Sequence, residues 1–153
     1  VLLDARGFKP EDFARSHPGG SLGRKLLTHL TDVMRSGEAV PRVAPEAPFG
    51  DVMREMSAKG LGATAVVAAD GTVLGVFTDG DLRRKIEAGV ELRSTTAREL
   101  MTPSPQTIRE DVLAAEAVAL MEARRINTLL VVDAAGVLVG AVSTNDLMRA
   151  KVI

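Results

Sequence analysis

One pattern occurs twice in this chain. Residues 66–82, Val-Val-Ala-Ala-Asp-Gly-Thr-Val-Leu-Gly-Val-Phe-Thr-Asp-Gly-Asp-Leu, return 65 residues later as 131–147, Val-Val-Asp-Ala-Ala-Gly-Val-Leu-Val-Gly-Ala-Val-Ser-Thr-Asn-Asp-Leu. Gly71 falls on Gly136, Gly75 on Gly140, Asp81 on Asp146 and Met56 on Met121. Self-similarity at a fixed period means two related units, each too small to bury its apolar face alone, that share a core. A polar group at the strand–helix junction of one unit is therefore offered by the other as well.

Each unit reads as strand–helix–strand–strand–helix, an α+β fold in which pairing the two units gives one compact body. In the first unit Val40–Val43 is a short strand. Pro48 opens a helix whose apolar face is Phe49, Val52, Met53 and Met56, at helical spacing. Ala63–Ala68 and Val73–Phe77 form a hairpin around Asp70-Gly71, and Thr78–Ile86 is a helix. The second unit has a short lead-in helix over Ala97–Met101, stopped by Thr102-Pro103. A strand over Gln106–Ile108 follows, then a helix over Val112–Arg125 with Val112, Ala115, Val118, Ala119 and Met121 inward. Next come the hairpin strands Thr128–Val132 and Val137–Val142, and a closing helix over Ser143–Ala150. Ahead of both, helical stretches are expected over 1–8, from Lys9-Pro10 onward, and from Ser21 to Met34, with a His17-Pro18-Gly19-Gly20 turn between.

Composition removes several classes of function. A formal net charge of −1, with acids and bases interspersed, gives no electrostatic footprint for nucleic acid or membrane. Four aromatics, Phe8, Phe13, Phe49 and Phe77, are too few for a single-strand stacking platform. The chain has no Cys, which excludes disulfides and thiolate chemistry and is compatible with a reducing compartment. Its two His, His17 and His29, are not spaced with acids as metal ligands would be, so no metal and no cofactor are expected. Asp70 and Asp133 interrupt the most apolar stretches, which rules out a transmembrane helix. Starting at Val1 without a Met or a leader, the chain reads as a piece of a longer protein.

The residues that could carry chemistry lie at the duplicated junction. Thr78-x-x-Asp81 and Ser143-x-x-Asp146 each follow a strand and open a helix. A helix N-terminus offers free N–H groups and positive potential to a phosphate. A hydroxyl there can donate to a phosphate oxygen, and an Asp one turn on can accept both hydroxyls of a ribose. The same pattern is close to a capping box, which only satisfies the helix's own N–H groups. Lys59, Arg83, Arg84 and Lys85 in the first unit, and Arg124, Arg125 and Arg149 in the second, could neutralise a phosphate or simply form solvated helix faces. His17 has the chemistry of a general base but no partner committed to it here.

The repeated unit, with Gly75-Val76-Phe77-Thr78-x-x-Asp81 and Gly140-Ala141-Val142-Ser143-x-x-Asp146, resembles a tandem pair of CBS domains over about residues 31–153. The stretch from Ala5 to Leu27, with Ser16-His17-Pro18-Gly19-Gly20 inside it, resembles the end of the sugar-isomerase (SIS) domain of arabinose 5-phosphate isomerases. This resemblance implies three parts: an isomerase remnant and linker over 1–30, and CBS domains over 31–95 and 96–153 that form a pseudo-twofold pair. It implies clefts for a nucleotide or nucleotide sugar at Thr78, Asp81, Ser143 and Asp146, with Arg83, Arg84, Arg124 and Arg125 as phosphate or sugar-acid partners. It gives His17 a place in an isomerase active site whose other groups are absent, so this piece alone should be catalytically silent. The implied parent interconverts ribulose 5-phosphate and arabinose 5-phosphate on the way to Kdo, an acidic sugar of lipopolysaccharide. The implied ligand is the activated end product CMP-Kdo or an adenine nucleotide. The implied partners are the chain's own isomerase domain and further copies of itself, in the cytoplasm, with no nucleic acid and no membrane. A ligand-free oligomerisation module is the competing expectation.

Overall fold

The computed structural model describes residues 27–153. In chain order the elements are α1 (Leu30–Val33), β1 (Arg42–Val43), α2 (Phe49–Lys59), β2 (Ala63–Val67), β3 (Val73–Thr78), α3 (Asp79–Glu87), α4 (Ala97–Leu100), β4 (Thr102–Pro103), β5 (Thr107–Arg109), α5 (Ala114–Arg124), β6 (Thr128–Val132), β7 (Leu138–Ser143) and α6 (Thr144–Arg149). A 3-10 turn over Gly37–Ala39 sits between α1 and β1.

Each unit is built on its hairpin. β2 and β3 pair antiparallel, as do β6 and β7, and both pairs shift register at the same place, Val66/Val67 and Val131/Val132. The turns are held alike. Asp70 accepts from the Thr72 N–H and hydroxyl at 3.1 and 2.7 Å, and Asp133 accepts from the N–H groups of Ala135 and Val137 at 2.8 and 3.0 Å. β1 runs parallel to β2 and β5 parallel to β6. Parallel neighbours need a crossover, which α2 and α5 supply.

Each lead-in segment serves the other unit. Leu30 of α1 is fully buried among Ala114, Ala117 and Met121 of α5, Leu129, Val131 and Val142 of the second sheet, and Leu147 of α6. Ala97 and Leu100 of α4 are buried with Val52, Met56, Val66 and Phe77 of the first unit. The backbone follows the same exchange. β4 pairs with β3, placing Thr102 opposite Val76, while Arg35 bridges Ala141 of β7. Gly75 and Gly140 permit this approach. A Cβ on Gly75 would lie 2.8 Å from the Thr102 carbonyl, and one on Gly140 would lie 2.9 Å from that of Arg35. Between the units, Val40, Leu61, Ala65, Leu130, Leu138 and Ala141 form a third cluster.

Four local expectations change. Within the described residues the helix expected up to Met34 is interrupted at Thr28-His29, because this stretch pairs with the strand-like stretch before α5. Leu30 N–H donates to Val112 O at 3.0 Å, and Ala114 N–H to Thr28 O at 2.8 Å. Thr102-Pro103 is more than a helix stop, since it is the edge strand β4. The strand expected over Val40–Val43 is confined to Arg42–Val43, with Val40 in the core between the units. The buried face of α5 is Ala114, Ala117 and Met121, while Ala115, Val118 and Ala119 are half-buried and Val112 precedes the helix. Two small side chains there leave room for Leu30, which local periodicity could not anticipate.

Candidate functional site

The duplicated junctions adopt one geometry. Thr78 and Ser143 are extended N-cap residues, at φ −115°, ψ 164° and φ −116°, ψ 164°. Thr78 Oγ1 accepts the Asp81 N–H at 3.1 Å, and Asp81 Oδ2 accepts the Thr78 N–H at 3.0 Å. Ser143 and Asp146 repeat this at 3.1 and 3.0 Å. Both pairs are therefore capping boxes. Each hydroxyl accepts in that role, and its own proton can still be donated.

What surrounds the two carboxylates differs. Asp81 lines a cleft of about 290 Å³ together with Arg84 and Lys85 of α3, Ala88 and Val90 beyond it, and Leu100, Met101 and Thr102 of the lead-in. Arg84 donates to Asp81 Oδ1 at 2.6 Å. With the Thr78 N–H on Oδ2, the carboxylate has two donors among the described residues, and an ionised carboxylate has about four acceptor positions. The cleft lining combines the cations Arg84 and Lys85 with the apolar Ala88, Val90, Leu100 and Met101.

At the second junction the carboxylate is enclosed. Asp146 is 8% exposed. Its Oδ2 accepts from Arg35 Nε at 3.1 Å and from the Ser143 N–H at 3.0 Å. Its Oδ1 accepts from the Arg35 guanidinium at 3.2 Å and from Arg149 at 2.5 Å. Arg35 also donates to the Lys59 carbonyl, at the C-terminal end of α2, at 2.6 Å. Burial pushes the Asp146 carboxyl up, but the Arg35 guanidinium and the Ser143 N–H and hydroxyl together hold it below its ordinary value.

Of the basic residues singled out in the sequence, Arg84 and Lys85 line the first cleft and Arg149 pairs with Asp146. Arg83 is exposed on α3, outside that lining. Arg124 and Arg125 are exposed at the C-terminal end of α5, and Asp146 takes its cations from Arg35 and Arg149 instead. His17 lies outside the described residues. Sequence reasoning missed Arg35 and Thr102. The signal was there, since Val33-Met34-Arg35 matches Leu100-Met101-Thr102 at a spacing of 67 residues rather than the 65 of the main repeat. Among the described residues no His, Cys, Asp or Glu side chains are grouped to hold a metal ion, and no helix is long and apolar enough to cross a membrane.

The family model described as CBS domain matches residues 30–88 and 97–153. The chain belongs to the CBS domain family. Its two CBS units are the two halves described above. A relative from Pseudomonas aeruginosa, arabinose 5-phosphate isomerase KdsD, is 48% identical over all 153 residues, which are 47% of that protein. The protein of the same name from Escherichia coli K12 is 43% identical over the same span, 46% of its length. The chain thus spans about half the length of these relatives. Among solved structures, CBSX2 in complex with AMP matches the CBS pair with a TM-score of 0.69 and 25% identity, covering 81% of this chain and 96% of that one.

Proposed function

We propose that this chain is the nucleotide-binding regulatory CBS pair of an arabinose 5-phosphate isomerase. In this reading residues 1–30 end the isomerase domain and its linker, and residues 31–95 and 96–153 are the two CBS domains. The identity to KdsD proteins along the whole chain supports the parent activity, conversion of ribulose 5-phosphate to arabinose 5-phosphate in the cytoplasm. That chemistry belongs to the part of the parent outside this chain, to which His17 contributes. This chain has a sensing role.

The observation that carries the reading is the Asp81 carboxylate, with two acceptor positions left, facing a cleft that also presents Arg84 and Lys85. Asp81 accepts the two ribose hydroxyls. Arg84 and Lys85 neutralise phosphate. Val90, Leu100 and Met101 supply apolar contact for a base, which needs no aromatic platform. The AMP bound in CBSX2 supports an adenine nucleotide. CMP-Kdo presents the same ribose and phosphate, and its sugar carboxylate adds a second anion for Arg84 and Lys85, so end-product control of the isomerase uses the same cleft. A ligand in this cleft biases the isomerase only if it prefers one of two arrangements of the pair.

The test is thermal melting of the chain with AMP, ATP, CMP and CMP-Kdo. A ligand that binds only the folded state stabilises it by about 2.7 kcal/mol at a hundredfold excess over its Kd. A rise in Tm that disappears in Asp81→Asn supports the reading, and the nucleotide that produces it names the signal. A flat Tm with all four rejects the sensing role. The second reading, a module that only assembles subunits, is favoured at one point, because the Ser143–Asp146 junction is already satisfied within the chain.

A further inference from the structure

The two junctions are related by the repeat but not by what surrounds their carboxylates. Ala141 lies 65 residues after Val76, and their partners in the exchanged edge positions are Arg35 and Thr102. Arg35 and Thr102 are therefore equivalent residues in the two halves. The same holds for the residues before them, since Met34 packs on Gly140 as Met101 packs on Gly75. Where the first junction has a short, exposed hydroxyl side chain, the second has a guanidinium.

That guanidinium takes the place a ligand would need. An Asp carboxylate meets a ribose by accepting two hydroxyl protons. Arg35 delivers two N–H donors to the same carboxylate, at 3.1 and 3.2 Å, one on each oxygen. With the Ser143 N–H and Arg149 this brings the donors on Asp146 to four, the capacity of the group. Among the described residues, Asp81 has two by the same reckoning. Displacing Arg35 would strip it of Asp146 and also disturb its bond to the Lys59 carbonyl. Bidentate charge-assisted bonds of this kind are among the stronger ones in proteins.

We infer that the chain binds one nucleotide, in the Asp81 cleft, and that Arg35 is the internal occupant of the Asp146 cleft. This rests on the nucleotide-binding reading above and adds to it the stoichiometry, the location and the residue that decides both. Arg35 is then a specificity device. It converts a symmetric pair of clefts into a single regulatory site, so that the regulatory response follows one saturation curve instead of two.

The experiment is isothermal titration of the chain with AMP and with CMP-Kdo, on the parent and on Thr102→Arg. Thr102 is exposed, and the substitution transplants the guanidinium from the second junction to its equivalent position beside Asp81 without opening a cavity. Circular dichroism and Tm check that the variant is folded. The expected result is one site per chain in the parent, with affinity reduced at least tenfold in Thr102→Arg. Two sites per chain would overturn the inference and leave the nucleotide-binding reading intact, as would one site unchanged in folded Thr102→Arg. No binding of either nucleotide to the parent would overturn both. Should Thr102→Arg fail to fold, Asp81→Asn against parent decides between the clefts. Loss of the single site supports the assignment, and its retention places the ligand at Asp146 and rejects it.

Discussion

A carboxylate that is 8% exposed can stay ionised only if donors outweigh the loss of water, and Asp146 has four. Its pKa lies below the ordinary 3.8 despite the upward push of burial, with Arg35 the leading cause of the lowering. A folded pKa below the unfolded one contributes stability above the unfolded value and loses it as pH falls through the folded value. The pair's stability should therefore decline below about pH 4. In Arg35→Ala the carboxyl loses its largest lowering influence, so this acid-limb dependence should flatten or reverse. At pH 7 the variant should lose about 2 kcal/mol, less than for a dry ion pair because Arg149 still faces Asp146 and Arg35 is partly exposed. Urea titrations of parent and variant from pH 3 to 7 check both points. An Arg35→Ala protein as stable as the parent at pH 7 would mean that the ion pair only balances its own desolvation.

The repeat extends to backbone details that the side chains alone do not explain. α2 ends at Gly60 with φ +64°, and α5 ends at the equivalent Arg125 with φ +55°. Glycine adopts this conformation freely and arginine does not, so the geometry at Arg125 is imposed by the chain path into β6. Gly75 and Gly140 do need to be glycine, and the reason lies in the exchanged strand laid across each. Gly75→Ala pushes a methyl against the Thr102 carbonyl, and Gly140→Ala against that of Arg35. Each should cost about 2 kcal/mol by overpacking. Under the proposed function, Gly75→Ala should also weaken nucleotide binding, because it displaces Met101 and Thr102 from the cleft wall. Thermal melting and titration of the two variants measure this, and a neutral Gly75→Ala would show that β4 yields without loss. The elements themselves were largely readable in advance. Hairpin turns at Asp70-Gly71 and Ala135-Gly136, and the apolar face of α2, are local signals carried by a few neighbouring residues. The strand β4 and the break at Thr28-His29 were not, because both depend on partners far along the chain.

At the scale of the molecule, exchange of α1 and α4 makes each unit's core incomplete without the other half of the chain. The third cluster adds Ala65 from one unit and Leu130, Leu138 and Ala141 from the other, and the two turns also bond across the divide, with Val73 N–H to Gly136 O and Leu138 N–H to Gly71 O. Neither unit can lose its packing alone. The CBS pair should therefore unfold in a single transition, with calorimetric and van't Hoff enthalpies equal. Two resolved transitions in the scanning calorimeter would show that the exchange contributes little.

Sequence by itself determined the strand–helix–strand–strand–helix order within each unit, the two-unit organisation, and the pairing of a cap hydroxyl with an Asp at each strand–helix junction. These follow from periodicity, turn chemistry and repetition, which act over distances of a few residues or at one constant spacing. Tertiary structure decided how far each junction's carboxylate is satisfied from within the chain. Thr78–Asp81 and Ser143–Asp146 are nearly the same in sequence and in capping geometry. They differ because the chain crosses over, bringing Thr102 to one and Arg35 to the other. Arg35 meets Asp146 across 111 positions of sequence, a distance over which no local pattern carries information. The contact exists only because burying Leu30 against α5 lays the segment that follows it along β7.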